Sequence, residues 1–282
     1  MESKNKIKIS LSTIEETLLI PLWIRAKLSR EHNSVRNDTK AIELVERIDY
    51  DFSTLDGNPF ESNLFFVARA KQFDDKIRAY IREHPRASVV NIGAGLDTTF
   101  YRVDNGTIRW YDLDLPDVIA LRKQLLPETD RTRCIAKSLF DSSWYTDIKN
   151  TGEGVFLMAA GVLFYFEEAQ VRRFFSSLAD KFPGSEIVFN AHSKLGVSFA
   201  NRTLRSTGVE NAVIKWALKD VNEMTKWDKR ITVIDQVPYF KNIPRDPAWG
   251  EEIKRRINVN DTHKIFKIVH LRVNPREVRQ RS

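Results

Sequence analysis

Cysteine is almost absent from this 282-residue chain. Cys134 is the only one, so no intrachain disulfide can form, and no C-x-x-C pair exists for a cysteine-based zinc or iron–sulfur site. A single buried thiol reads as a small hydrophobe. No run of 18 apolar residues occurs, which argues against a membrane span. The start, MESKNKIKIS, lacks the apolar core of a signal peptide, so a cytoplasmic location is expected. There is no internal repeat, no low-complexity tract, and no linker rich in Gly, Pro or Ser. His32, His84, His263 and His270 are scattered without ligand spacing, and no metal site is expected.

The composition is that of a globular protein, 42% hydrophobic and 29% charged. The length suits one large α/β domain. The net charge is +7, and it is uneven: residues 241–282 carry eleven Lys/Arg against five Asp/Glu, while the first 240 residues are close to neutral. A basic section can meet nucleic acid or an acidic partner. No aromatic-interleaved basic motif accompanies it, so a solvated basic face is expected, with no nucleic-acid partner.

Helical periodicity dominates up to Pro85. Residues 12–29 place Ile14, Leu18 and Leu22 on one face, with Pro21 as a bend or break. Residues 39–48 and 61–83 read as two further helices. Beyond Pro85, short apolar runs alternate with helical stretches. The runs are Ser88–Ile92, Ile108–Leu113, Arg133–Ala136, Val155–Ala160, Glu186–Ala191, Ile231–Val237 and Ile265–Val273. The helical stretches include 117–126, 167–182 and 248–257. Such alternation predicts parallel βαβ units in a doubly wound sheet. We divide the single domain into an N-terminal helical cap (1–85), a cofactor-binding core (86–195), a helical insertion that could form a lid (196–230), and C-terminal strands with a basic tail (231–282).

The first strand runs into Gly93-Ala94-Gly95-Leu96-Asp97-Thr98. Glycines after a strand let the backbone turn tightly and let a ligand approach. The second strand ends in Asp112-Leu113-Asp114, 19 and 21 residues after Gly93, where a carboxylate can accept ribose hydroxyls. A dinucleotide would need the helix N-terminus clear for its pyrophosphate. Thr98 holds the third glycine slot, and Asp97 adds negative charge there. S-adenosylmethionine has no phosphate and a cationic sulfonium and amino group, so it suits the acidic loop better than a nicotinamide cofactor. An α/β turn that binds nothing stands as the alternative.

These motifs are specific in combination. Leu18-Leu19-Ile20-Pro21-Leu22-Trp23-Ile24-Arg25-Ala26, Val67-Ala68-Arg69-Ala70-Lys71-Gln72-Phe73-Asp74, the run from Asn91 to Arg102, Tyr111-Asp112-Leu113-Asp114-Leu115-Pro116, Ser138–Trp144 and Ala160–Phe166 follow one another. In this the chain resembles the leucine carboxyl methyltransferase family, in the branch similar to tetracenomycin-type polyketide O-methyltransferases. The resemblance implies a class I methyltransferase fold: a seven-stranded, mostly parallel sheet with helices on both faces and extra N-terminal helices. It implies S-adenosylmethionine as methyl donor, S-adenosylhomocysteine as product, and an oxygen, often a carboxylate, as acceptor. Arg69 matches the arginine that pairs with the cofactor carboxylate, a role suited to a planar guanidinium fork. Arg25 matches a basic position turned toward the cofactor. Gly93, Ala94, Gly95 and Asp97 match the glycine loop, Asp114 the ribose acid with Asp112 beside it, and Ser138 and Leu139 the pair lining the adenine. Tyr165 matches a tyrosine near methyl transfer. Ala160 stands where many members have Glu, so weakened binding or loss of turnover is open.

A carboxylate acceptor needs no general base, whereas a phenol of pKa about 10 would benefit from one. His192, just past the fifth strand, is the candidate base, with an ordinary hydrogen-bonded histidine as the alternative. Most of Phe164, Phe166, Phe174 and Phe175 read as core, while Trp216 and Trp227 could cap the acceptor pocket. The leading function is a small-molecule O-methyltransferase. A protein C-terminal carboxyl methyltransferase and an inactive S-adenosylmethionine-binding protein remain as alternatives, as monomer or homodimer. An amino-base methyltransferase is disfavoured, because no Asn/Asp-Pro-Pro-aromatic segment follows the fourth strand.

Overall fold

The computed structural model describes residues 6–8, 13–30, 37–56, 60–206 and 212–276. His32, residues 207–211 of the expected insertion, and the 277–282 end of the basic tail lie outside the described residues. In chain order the elements are β1 (Ile7–Lys8), α1 (Thr13–Arg30), α2 (Thr39–Arg47), β2 (Ile48–Asp49), α3 (Phe60–Glu83), β3 (Ser88–Ile92), α4 (Thr99–Val103) and β4 (Arg109–Asp114). There follow α5 (Pro116–Leu125), β5 (Thr132–Ala136), β6 (Val155–Ala159), α6 (Glu168–Lys181), β7 (Glu186–His192), α7 (Lys194–Ser206), β8 (Ile231–Pro238), α8 (Glu251–His263) and β9 (Phe266–Val273). All seven expected strands form. Helix α1 runs through Pro21 without a break.

The seven strands make one sheet in the order β5-β4-β3-β6-β7-β9-β8. The first five are mutually parallel, and β9 lies antiparallel between β7 and β8. Every residue of β3, β6 and β7 is buried, as required of strands covered on both faces. Alternation sorts their side chains between two cores. Val90, Ile92, Leu157, Ala159, Ile187 and Phe189 join the α6 side, with Phe174, Phe175 and Leu178. Val89, Phe156, Met158 and Val188 join the α3 side, with Phe73, Ile77 and Tyr80. A third cluster seats α1 and α2 (Leu19, Leu22, Leu44, Val45) on Leu96 and on Leu121 and Leu125 of α5. The chain leaves β3 in one direction toward β4 and returns to its other side at β6. The strand order reverses there, which places the binding crevice at the carboxyl ends of β3 and β6.

Among the described residues, no helix is long and apolar enough to cross a membrane.

Candidate active site

The loop after β3 is fixed by backbone need and by contact. Gly93 and Gly95 have φ of +64° and +47°, the left-handed region that favours glycine. A Cβ on Gly93 would also collide with the Val162 side chain, and one on Gly95 would lie 3.1 Å from Leu18 of α1. The amides of Gly93 and Ala94 donate to the Leu113 carbonyl at 2.8 and 3.2 Å, tying the loop to β4.

The two acids of β4 then separate by role. Asp114 is half-buried at the strand end, and accepts from the Gly95 amide at 2.8 Å and the Leu115 amide at 2.7 Å. Each carboxylate oxygen keeps a lone pair for a ligand hydroxyl. Burial raises its pKa against the pull of those amides. Asp112, expected to share the cofactor, is instead committed inward. It is buried and accepts from Trp110 Nε1 at 2.8 Å and Asn91 Nδ2 at 3.0 Å. Its other oxygen pairs with Arg122 at 2.8 Å. Arg122 in turn donates to the carbonyls of Gly95 (2.8 Å) and Asp97 (2.9 Å), so this pair braces the glycine loop from below.

Arg25 is likewise not an open fork. It is buried, with Nε on Asp38 at 3.2 Å and Nη2 on the Leu96 carbonyl at 3.1 Å. Desolvation lowers its pKa, opposed by Asp97 and Asp38. Asp38 also receives Thr98 Oγ1 at 2.7 Å and Arg102 at 2.6 Å, and Arg102 spans to Asp74 at 3.1 Å. Asp97 caps Thr99 at 2.8 Å. Burial would raise its pKa, but Arg102 and Arg25 outweigh that and hold it near 2, so Asp97 is a fixed negative charge beside the loop.

Arg69, on α3, is the hub of the site. Its Nη1 would lie 3.3 Å from a Cβ on Gly161, and its guanidinium sits 5.1 Å from the Phe66 ring centroid. Its charge acts on Arg25, Tyr165, His192 and Tyr239. The structure therefore gathers Arg69, the loop from Gly93 to Asp97, Tyr165 and His192 around one locus. Tyr165 is half-buried, and burial raises its pKa. Ala160 directly follows β6 and packs against the α3-side core. Ser138 follows β5, and its hydroxyl accepts from the Phe140 amide at 3.2 Å. The Leu139 side chain belongs to the α6-side core, so Phe140 is the exposed apolar residue of that turn, edge-on to Phe166 at 4.8 Å.

His192 departs from the expected general base. The ring is buried, stacked on Phe164 at 4.5 Å and edge-on to Phe266 at 4.9 Å. Its Nδ1 has no hydrogen-bond partner among the described residues. Desolvation, then the cations Arg69 and Lys267, push its pKa down to about 3. The imidazole is therefore neutral and resists taking a proton.

Two polar residues escaped the sequence reading. Asn190 is a buried amide in an otherwise apolar strand. Its Oδ1 accepts from the Gly161 amide at 2.7 Å and its Nδ2 donates to the Tyr239 hydroxyl at 2.9 Å. A lone Asn inside the apolar run of β7 was the available signal, since buried amides need partners. Tyr239 follows β8, where no motif marks it. The expected cap residues Trp216 and Trp227 join the α6-side core, Trp227 at its margin. Trp216 is buried against Phe189 at 6.1 Å, and Trp227 packs on Phe175 and Trp216.

The sequence profile described as leucine carboxyl methyltransferase matches residues 20–179. The tetracenomycin polyketide synthesis O-methyltransferase TcmP of Streptomyces glaucescens is 32% identical over 213 residues, 74% of this chain and 77% of that protein. The chain belongs to the leucine carboxyl methyltransferase family. A Gibberella zeae relative, the S-adenosyl-L-methionine-dependent methyltransferase dpfgK, is 29% identical over 242 residues, 78% of this chain and 80% of that one. Among solved structures, a DUF574 family protein from Streptomyces avermitilis aligns with a TM-score of 0.60 at 14% identity, covering 94% of this chain and all of that one. A candidate methyltransferase from Thermobifida fusca aligns at 0.58 and 16% identity, covering 89% and 94%. These two show the class I fold. As a family member the chain is an S-adenosylmethionine-dependent methyltransferase. The residues present suit that cofactor: a glycine loop after β3, an acid at Asp114 with lone pairs left for hydroxyls, and a cation at Arg69.

Proposed function

We propose that this methyltransferase transfers methyl to an oxygen of a small, apolar, acidic molecule: a carboxylate, or an aromatic hydroxyl acidified by its ring system. The observation that carries the reading is His192. A neutral imidazole with an unpartnered Nδ1, walled by Phe164 and Phe266 and flanked by two cations, can hold an acceptor oxygen but is a weak base. It suits an acceptor that arrives ionised, and the positive field of Arg69 and Lys267 favours that form. The TcmP relative, named for polyketide O-methylation, supports the same class.

When bound, S-adenosylmethionine supplies a methyl group already activated by its sulfonium. The protein is left with positioning and exclusion of water. Arg69 would hold the carboxylate end, Asp114 the ribose, and Phe140 an edge of the adenine. His192 and Tyr165 would orient the acceptor oxygen, and the aromatic wall would keep solvent out. We place the protein in the cytoplasm.

The test is transfer of labelled methyl to aromatic polyketide-like acceptors with and without a carboxyl group, followed by mild alkaline hydrolysis. Label on oxygen, base-labile as an ester or stable as an ether, supports the proposal and names the acceptor group. S-adenosylhomocysteine binding without transfer to any acceptor would favour the binding-only reading that Ala160 keeps open. Transfer only to a peptide C-terminus would replace the small-molecule reading.

A further inference from the structure

We propose that the Tyr239 hydroxyl is a ligand-binding donor, giving its hydrogen to the carboxylate of S-adenosylmethionine held at Arg69. A phenol oxygen offers two acceptor lone pairs and one hydrogen to donate. At Tyr239 the geometry uses the oxygen as an acceptor. The Gly161 amide can only donate, so the Asn190 atom it meets at 2.7 Å is Oδ1, and the amide nitrogen must face Tyr239, at 2.9 Å. The charge of Arg69 acts on the same phenol, and a guanidinium has no lone pair with which to take its hydrogen. Neither neighbour can accept. The Tyr239 hydrogen is left over, and among the described residues no acceptor takes it.

The residue is buried, at 4% exposure, so water is not the ready answer. A buried donor without an acceptor costs stability, and such groups concentrate where a ligand completes them. The ring cannot swing away. It stacks on Phe266 at 6.0 Å and meets Phe65 at 6.4 Å. Its backbone is fastened to α3 as well, since Gln72 donates to the carbonyls of Tyr239 (3.0 Å) and Lys241 (2.6 Å). Phe65, Arg69 and Gln72 occur at i, i+4 and i+7, one helix face pressed on the 239–241 turn. The anion that Arg69 binds therefore meets two donors, a guanidinium and a phenol. The Gly161–Asn190–Tyr239 chain sets where the second one stands.

This rests on reading Arg69 as the partner of the cofactor carboxylate, and the experiment separates the two. Titration calorimetry compares S-adenosylhomocysteine with 5′-methylthioadenosine, which keeps the nucleoside and thioether but lacks the amino-acid end. Tyr239→Phe keeps the ring and its packing. It is expected to weaken S-adenosylhomocysteine about tenfold and to leave methylthioadenosine within twofold, as for a charge-assisted bond. Arg69→Ala is measured alongside. If Arg69→Ala weakens S-adenosylhomocysteine while Tyr239→Phe does not, the Tyr239 proposal falls alone. Equal loss for both ligands in Tyr239→Phe would mean packing and would overturn it too. If Arg69→Ala changes nothing, the carboxylate reading fails and takes the proposal with it.

Discussion

Two aspartates two residues apart on one face of β4 differ in what surrounds them. Asp112 meets Trp110, Asn91 and Arg122, and all its partners are protein. Asp114, at the strand end, meets two backbone amides alone among the described residues and keeps room for hydroxyls. Removing one partner of a buried ion pair strands the other. Asp112→Ala is therefore expected to lose about 3–5 kcal/mol in urea unfolding. Asp114→Ala and Arg69→Ala are expected to weaken S-adenosylmethionine about tenfold or more in calorimetry, the scale of one lost charge-assisted hydrogen bond. His192 gives a pH prediction of definite sign. Its pKa falls from 6.5 in the unfolded chain to about 3 in the folded one. Between those values the unfolded state binds more protons, so this residue lowers stability as pH falls below 6.5, by up to about 1.4 kcal/mol per pH unit. Melting temperatures of the native protein and His192→Gln, followed from pH 7.5 to 5, should diverge in slope, with the native protein falling faster. Parallel slopes would mean a histidine protonated in place.

Elements meet at this site through charge as well as through apolar packing. The cluster of Arg25, Asp38, Arg102 and Asp74 draws on α1, the residue capping α2, α4 and α3, and is almost wholly shielded from solvent. Asp38 also caps α2 through the Ala41 amide at 3.0 Å. Asp38→Ala should cost a cap, worth about 1 kcal/mol, and leave Arg25 and Arg102 short of a counter-charge. We expect faster hydrogen exchange across α1 and α2 than across β3 and β6; uniform change would show that the cap and core open as one unit. The helices and strands themselves were legible in the sequence, because apolar period and turn residues report directly on local geometry. Arg25, Arg69, Asp97 and Asp114 were legible as motif positions. Their partners were not. Arg25 reads the same whether it faces a ligand or Asp38, 13 residues away, and Asp112 reads the same whether it meets ribose or Arg122. Those choices are made by tertiary contacts that no local pattern encodes.

At the scale of the whole molecule, the stretch between α7 and β8 decides whether the acceptor side is a hinged cover or a fixed wall. Its composition admits a lid, and 196–230 was expected to be helical. Its first part is, in α7, and Val221–Lys226 adds a short 3-10 helix. Beyond the undescribed 207–211, residues 212–218 form no regular element and are stitched to the sheet end. Lys215 and Trp216 donate to the Phe164 carbonyl at 2.8 and 3.0 Å, and Leu218 donates to that of His192 at 2.9 Å. Asn201 of α7 exchanges two hydrogen bonds with the backbone of Ile214, and buried Lys267 donates to the Leu218 carbonyl at 2.7 Å. Trp216, Leu218, Val221 and Met224 then enter the same apolar core as β6 and β7. A segment that is both hydrogen-bonded to the sheet and part of its core cannot open without exposing that core. Native-state hydrogen exchange should find the amides of Trp216 and Leu218 as slow as those of β7, and Trp216→Ala should cost about 3–5 kcal/mol in global unfolding. Fast exchange at these two amides, with β7 still protected, would restore the moving lid. Protection at the level of β7 would mean that the acceptor reaches a preformed site, whose selectivity is set by the fixed ring of His192, Phe164 and Phe266.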